Sequence, residues 1–538
     1  MNLLRVIFSV AFRATIAALV LQPLVPAQTP KPKLIIGIVV DQFRYDYLTR
    51  FRKDYKGGFA KMLANGAVFT NAHYEQMPTV TAVGHSIFFS GAMPAASGIA
   101  GNTWFERDSN QVVTSVCDYT VKELGGETRK SGARCDDADP ASPRRLEVST
   151  LGDELRNFDE QSKVVGISFK ARSAILPSGH RANGAYWFDD ASCSFVSSTY
   201  YFEKLPEWVK AFNNRKLAAA YAERKWDGFP TWDFHPADPT HPCEKLPASP
   251  WGNELIETFS EAAFENEHLG QGASTDILTV SFSSNDYVGH ETGPDAPEVH
   301  DMAVRTDQLI GKLIAVVEQK VGARNVLFVL TADHGVSPTP NTQEKRNMPG
   351  GYISGNPRNV VGEYLNDRFG TRGASGSVKT VAADWVLAFI EPEIYLNWKT
   401  IDNAHLNHTD VMRSVRDVLL ATRQLHISRV YTRDELIAGG GTDKIARAAA
   451  NGFNAARSGD VVIVQEPYFL FGRTAGTSHS TPWEYDTHVP VIFYGAGVKA
   501  GSYAREVAVN DIAPTLAAML GVEPPSGSSG RVLPEIVP

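Results

Sequence analysis

Lys33-Leu-Ile-Ile-Gly-Ile-Val-Val-Asp41 decides the fold. Its unbroken apolar run, rich in β-branched residues, is the pattern of a strand buried on both faces, as in a parallel sheet covered by helices. The run stops on Asp41, which sets a carboxylate at the carboxyl end of a strand, where open α/β sheets bind their ligands. Three further stretches repeat the pattern: Lys163 to Phe169, Asp276 to Phe282 and Asn325 to Thr331. They run into Lys170-Ala-Arg172, Ser-Ser-Asn-Asp286-Tyr-Val-Gly-His290 and Ala-Asp333-His334-Gly335. After the third of these four strands, Met302, Leu309, Leu313 and Val316 recur at helical spacing and predict a helix with one apolar face against the sheet. Val489 to Tyr494 reads as a late strand and Asn510 to Leu520 as a closing helix. The expected fold is α/β, a central mostly parallel sheet with helices on both faces.

A second stretch, Met77-Pro-Thr-Val-Thr-Ala-Val-Gly-His-Ser-Ile-Phe-Phe-Ser-Gly91, predicts a short helix opened by Pro78. Thr79 or Thr81 then stands at its N-terminus, where free amides and the helix dipole favour an anion. A threonine there is commonly only a cap. A glycine-rich turn follows, with Asn102 in Gly98-Ile-Ala-Gly-Asn-Thr-Trp104.

The strand-helix rhythm lapses three times, which predicts insertions at about 103–150, 175–270 and 337–471. The second holds Trp187, Trp208, Trp226, Trp232 and Trp251 and reads as a cap; the third reads as a smaller α/β unit. At 538 residues with a net charge of -8, the chain can build a large core and offers no basic field for nucleic acid or anionic membranes. Residues 1–27 read as a secretory signal: Arg5 and Arg13 are basic, and Arg13 interrupts the apolar stretch and leaves about a dozen apolar residues, short of the ~20 that span a bilayer, with small residues before the cut. The expected protein, 28–538 after removal of the signal, is periplasmic or secreted, without a membrane span; a monomer is one reading of its oligomeric state. Four cysteines suit an oxidising compartment, with Cys117–Cys135 and Cys193–Cys243 as the expected pairs, each inside its own insertion.

The chemistry lies in what ends the strands. Asp41, Asp286 with His290, Asp333 with His334, and the later His479 would collect three mutually repelling carboxylates in one cleft unless cations held them. Mixed Asp and His ligation suits zinc. Six such ligands exceed one tetrahedral ion and fit two, and a metal pair about 4 Å apart is the arrangement that stabilises in-line displacement at phosphorus.

These motifs resemble the alkaline phosphatase superfamily: Asp41, Pro78-Thr-Val-Thr81-Ala-Val-Gly-His, Gly-Asn102, Asp286-Tyr-Val-Gly-His290, Thr-Ala-Asp333-His334-Gly and His479-Ser-Thr-Pro. Lys170-Ala-Arg172 is similar to the pair in the bacterial phosphate-irrepressible, threonine-nucleophile alkaline phosphatases. The resemblance spans about Leu34 to Leu520. It implies an alkaline-phosphatase-like fold and two Zn2+, one on Asp286, His290 and His479, the other on Asp41, Asp333 and His334. It implies Thr81 as nucleophile and metal contact, chosen over Thr79 by its spacing to Asn102. Asn102, Lys170 and Arg172 would bind the phosphate of small-molecule phosphate esters, the two cations replacing a third metal site. His488 is the rival of His479 as a ligand; His73 and His85 read as structural. The implied function is a phosphomonoesterase with a phosphothreonine intermediate. A phosphodiesterase or nucleotide pyrophosphatase on the same scaffold is the first alternative, and a non-catalytic metal- or phosphate-binding protein the second. A sulfatase is disfavoured because Thr81-Ala-Val-Gly-His lacks the Cys/Ser-x-Pro-x-Arg pattern.

Overall fold

The computed structural model describes residues 31–126, 140–222, 224–230, 232, 236–370 and 385–537. The expected signal at 1–27 lies outside them, as does Cys135. A ten-stranded sheet forms the centre. In chain order its strands are β1 (Leu34–Val40), β2 (Ala67–Phe69), β3 (Glu123–Leu124), β4 (Val164–Ile167) and β5 (Gly184–Asp189). They continue with β6 (Ser194–Ser198), β7 (Asp276–Phe282), β8 (Val326–Thr331), β9 (Val491–Gly495) and β10 (Gly501–Tyr503). The spatial order is β10-β2-β9-β8-β1-β7-β4-β5-β6-β3. From β8 to β5 every neighbour is parallel, and these central strands are buried almost throughout, as their unalternating sequences require. The late strand β9 is antiparallel to both its neighbours.

Register brings the functional termini level. Val39 pairs with Ser281 on one side and Thr331 on the other, and Val40 with Phe282, so β1, β7 and β8 end side by side. The next residues of each chain segment therefore meet.

Helix α1 (Thr81–Ser90) is wholly buried and packs against α2 (Ala171–Ile175). A second set comprises α3 (Pro250–Asn266), α4 (Ser284–Thr292) and α5 (Pro297–Val321). The apolar stripe of α5 differs from the expected one: Met302 and Leu313 are buried, but Ile310 and Val317 take the places expected of Leu309 and Val316, which are only partly covered. The 3.6-residue period makes adjacent positions near-equivalent, and packing selects between them.

Part of the segment expected as a cap, 175–270, joins the main sheet as β5 and β6, closed by the Cys193–Cys243 disulfide with its Cα atoms 5.5 Å apart. Cys117 is also disulfide-bonded. Within 337–471, strands Val386–Ile390, Glu393–Leu396, Val461–Gln465 and Ile427–Thr432 form a separate antiparallel sheet, in that spatial order. It is backed by His408–Ala421 and has an apolar core of its own. Among the described residues no helix is long and apolar enough to cross a membrane.

Gly84 is where α1 meets the end of β8: a Cβ there would stand 2.1 Å from the Asp333 carbonyl oxygen and 2.6 Å from its Cα. Gly84→Ala should therefore cost about 1–3 kcal/mol of stability through forced backbone displacement. Gly272→Ala, where a Cβ would meet nothing nearer than the Ser274 amide nitrogen at 3.9 Å, should stay within about 0.5 kcal/mol of wild type. Urea denaturation of the two variants checks the contrast.

Candidate active site

Asp41 follows β1 directly, Asp286 lies in the first turn of α4 after β7, and Asp333 lies two residues beyond β8. All three are buried. His334 and His479 lie against them with their rings stacked, centroids 3.6 Å apart, and His290 lies 5.1 Å from His479 in the same measure. One ligating atom from each of Asp286, His290 and His479 falls within 4.8 Å of the others, and the same holds for Asp41, Asp286 and His334. Asp333 adds a carboxylate oxygen 3.5 Å from His334 Nε2. All six expected ligands are therefore in one place, with Asp286 common to both groups.

Each histidine points Nδ1 at a backbone carbonyl: His334 at Gly335 (2.9 Å), His479 at Thr79 (2.7 Å) and His290 at Thr477 (2.9 Å). For His334 and His479 the carbonyl can only accept, so Nδ1 carries the proton and Nε2 keeps its lone pair toward the carboxylates; His290 Nδ1 also meets the Arg473 guanidinium at 3.1 Å. Burial lowers the proton affinity of His334 and His479, and for His479 the neighbouring His334 and His290 add to it. Both are held neutral, the ligating form.

The carboxylates are under matching stress. Burial pushes Asp41 well above the usual carboxylate range, with Asp286 and Asp333 pushing the same way. Burial opposes charge on Asp286 too, but His290 and Lys170 outweigh it and hold that group well below its ordinary value. Asp333 is likewise lowered, by His334 and His85 against burial. Lys170 Nζ bridges Asp41 Oδ2 and Asp286 Oδ2 at 2.6 Å each. Its own burial disfavours the charge, yet the two carboxylates raise its pKa. Asp41 Oδ1 and Asp333 Oδ2 remain buried without a hydrogen-bond donor. Acceptors left over after a lysine has been engaged, facing imidazole lone pairs, are a donor set that fits divalent cations.

Thr81 is the first residue of α1, and its Oγ1 is 3.5 Å from His334 Nε2. Thr79, indistinguishable from it by local sequence, spends its hydroxyl on the Thr481 carbonyl at 2.9 Å. Asn102 Oδ1 accepts from the Ala82 amide at 2.8 Å, which leaves the side-chain NH2 as the group still able to donate. Lys170 and Arg172 border one cavity of about 410 Å3 together with Tyr287. Lys170 stands at the N-cap of α2 and Arg172 within its first turn. A second cavity, of about 280 Å3, shares no lining residue with the first and is bordered by Pro78, Asn102, His290, Ser478 and His479.

His488 lies outside the cluster, stacked between Tyr45 and His73 at 4.5 Å from each, with Nε2 on the Thr70 carbonyl. His85 does touch the cluster: Nδ1 is 2.9 Å from the Thr81 carbonyl and 3.4 Å from Asp333 Oδ2, and Nε2 is 2.9 Å from Ser281 Oγ. Sequence reasoning missed Gln42. Its amide N–H donates to Asp333 Oδ1 (3.0 Å) and its side chain to Asp286 Oδ1 (2.6 Å), with the backbone at φ 59°. Its one sequence signal is its place directly after Asp41.

Residues 35–489 match the family described as type I phosphodiesterase / nucleotide pyrophosphatase. The chain is similar to alkaline phosphatase PafA of Elizabethkingia meningoseptica, 33% identical over 94% of this chain and 95% of that one. It is also similar to alkaline phosphatase PhoV of Synechococcus elongatus, 35% identical over 96% and 95%. A crystal structure of wild-type PafA superposes with a TM-score of 0.86 at 32% identity, covering 95% of this chain and 99% of that one. The fold is therefore alkaline-phosphatase-like.

If the cluster holds divalent cations, chelation should destabilise the protein, since binding at a hundredfold excess over Kd contributes about 2.7 kcal/mol. Urea midpoints should fall on removal of metal and recover on addition of zinc. His479→Ala should weaken the recovery.

Proposed function

The chain belongs to the type I phosphodiesterase / nucleotide pyrophosphatase family, within the alkaline phosphatase superfamily, and from that premise we propose that it hydrolyses phosphate monoesters through a phosphothreonine intermediate on Thr81. The observation that carries this reading is the meeting, at one point, of a threonine hydroxyl heading a buried helix, six Asp and His ligands, and a lysine already paired with two of the carboxylates. Two zinc ions, one on Asp286, His290 and His479 and one on Asp41, Asp333 and His334, would supply Lewis-acid stabilisation of the charge that develops on the phosphoryl oxygens.

The chain's own groups do the rest. Lys170, Arg172 and the NH2 of Asn102 hold the non-bridging oxygens, so the phosphorus faces Thr81 Oγ1. Attack in line forms the Oγ1–P bond and breaks the bond to the alcohol. Water then cleaves the phosphothreonine, so each turnover consumes one water and releases one alcohol and one phosphate. Thr81 is preferred over Thr79 because its hydroxyl faces His334, whereas that of Thr79 is turned to the Thr481 carbonyl. The apolar leader read at 1–27 and the Cys193–Cys243 disulfide support an exported enzyme.

The family's description favours a second reading, a diesterase. Lys170 and Arg172 argue for monoesters: a terminal phosphoryl dianion carries one more exposed charge for them to match, whereas a diester would bring a bulky group into their place.

Thr81→Ala should lower kcat/KM for an aryl phosphate monoester by at least about a thousandfold with metal content retained; undiminished turnover by that variant rejects the nucleophile. Lys170→Ala with Arg172→Ala should depress monoester hydrolysis about a hundredfold more than diester hydrolysis. Equal losses in a matched pair of aryl substrates would favour the diesterase.

A further inference from the structure

The unit within 337–471 reaches the site through one turn. Its hairpin of Val386–Ile390 and Glu393–Leu396 folds over Glu391 and Pro392, and these two residues, with Ile390 and Glu393 beside them, line the 280 Å3 cavity shared with Asn102, His290 and His479. The two acids of this turn are treated differently. Glu393 Oε2 accepts from the Tyr395 hydroxyl (2.7 Å) and the Gly459 amide (2.8 Å), which ties the hairpin to its own sheet. Glu391 Oε1 accepts only from the Gln465 side chain (2.5 Å), and no described residue donates to its Oε2.

Glu391 also has no ion-pair partner among the described residues. Arg473, whose guanidinium is 3.1 Å from His290 Nδ1, lowers its proton affinity only in part, and burial pushes the acid up to about 7. A neutral amide cannot cancel a carboxylate's charge, so an ionised Glu391 directs an unbalanced field into the cavity.

The cavity's place in the site identifies its occupant. Thr81 Oγ1 approaches from the His334 side, and Lys170 and Arg172 occupy the 410 Å3 cavity, where they hold phosphoryl oxygens. On the phosphomonoesterase reading the alcohol leaves opposite the attacking oxygen, and the 280 Å3 cavity, which neither Lys170 nor Arg172 lines, is the space left to take it. The departing alcohol is the group that meets Glu391.

Resting on the phosphomonoesterase reading, we propose that Glu391 is a specificity-determining residue that favours esters whose alcohol carries a cationic amine and disfavours esters whose alcohol carries a second anion. A carboxylate facing the leaving group selects by attraction and by repulsion at once. Amino-alcohol phosphates are the favoured class, and phosphorylated hydroxy acids the disfavoured one.

The test compares 2-aminoethyl phosphate with carboxymethyl phosphate, two esters of similar size and opposite leaving-group charge, on the metal-loaded full chain. Read as the ratio of their kcat/KM values, the amine preference should fall about tenfold in Glu391→Gln and further in Glu391→Lys. The glutamine variant keeps the oxygen that accepts from Gln465, so it decides the question even if the lysine variant fails to fold. A ratio within twofold of wild type in Glu391→Gln, with an aryl phosphate still hydrolysed, overturns the proposal and leaves the phosphomonoesterase reading intact. A wild-type protein that hydrolyses none of these monoesters overturns that reading, and this proposal with it.

Discussion

Three carboxylates that cannot spread their charge into water set the terms for this molecule. Asp41, Asp286 and Asp333 stand at adjacent strand ends with relative exposures of 0%, 5% and 1%. Like charges brought together in a desolvated space repel strongly, and burial alone disfavours each of them. The surrounding structure answers that repulsion. Lys170 sets its ammonium between two of the acids, Gln42 donates to two, and His334 and His479 turn lone pairs toward them. What remains unmet is acceptor capacity, which is the requirement a divalent cation fills.

The scaffold makes so costly an arrangement durable by building it on rigid parts. β1 lies between β7 and β8 in a register that ends all three together, so the acids are placed by sheet hydrogen bonds and not by loop conformation. Helix α1 approaches the end of β8 closely enough that Gly84 has no room for a side chain. His85, one turn along α1 from Thr81, links that threonine's carbonyl to Asp333 and Ser281. A hydroxyl held in this way has little freedom left to lose, which is the advantage of preorganisation.

The parts read accurately from sequence are those governed by local physics. Doubly buried strands have no choice but to be apolar on both faces, so β1, β7 and β8 and their polar endings stand out in the chain. Other features depend on competition between near-equal alternatives. Ile310 or Leu309 could face the sheet from α5, and neighbours decide it. The helix start at Ala171, the entry of β5 and β6 into the main sheet and the contacts of Gln42 depend on residues distant along the chain.

By itself, then, the sequence determined that the chain is α/β, that acids and histidines end its buried strands, and that a threonine heads a buried helix. These follow from short-range periodicity and from the chemistry of single side chains. Only the tertiary structure decided that Thr79 is spent on a carbonyl while Thr81 faces His334, that Asp286 belongs to both ligand groups, and that Glu391 enters the cavity. Each of those outcomes is a distance between residues far apart in the chain, and such distances are fixed by strand register and packing, which no local pattern encodes.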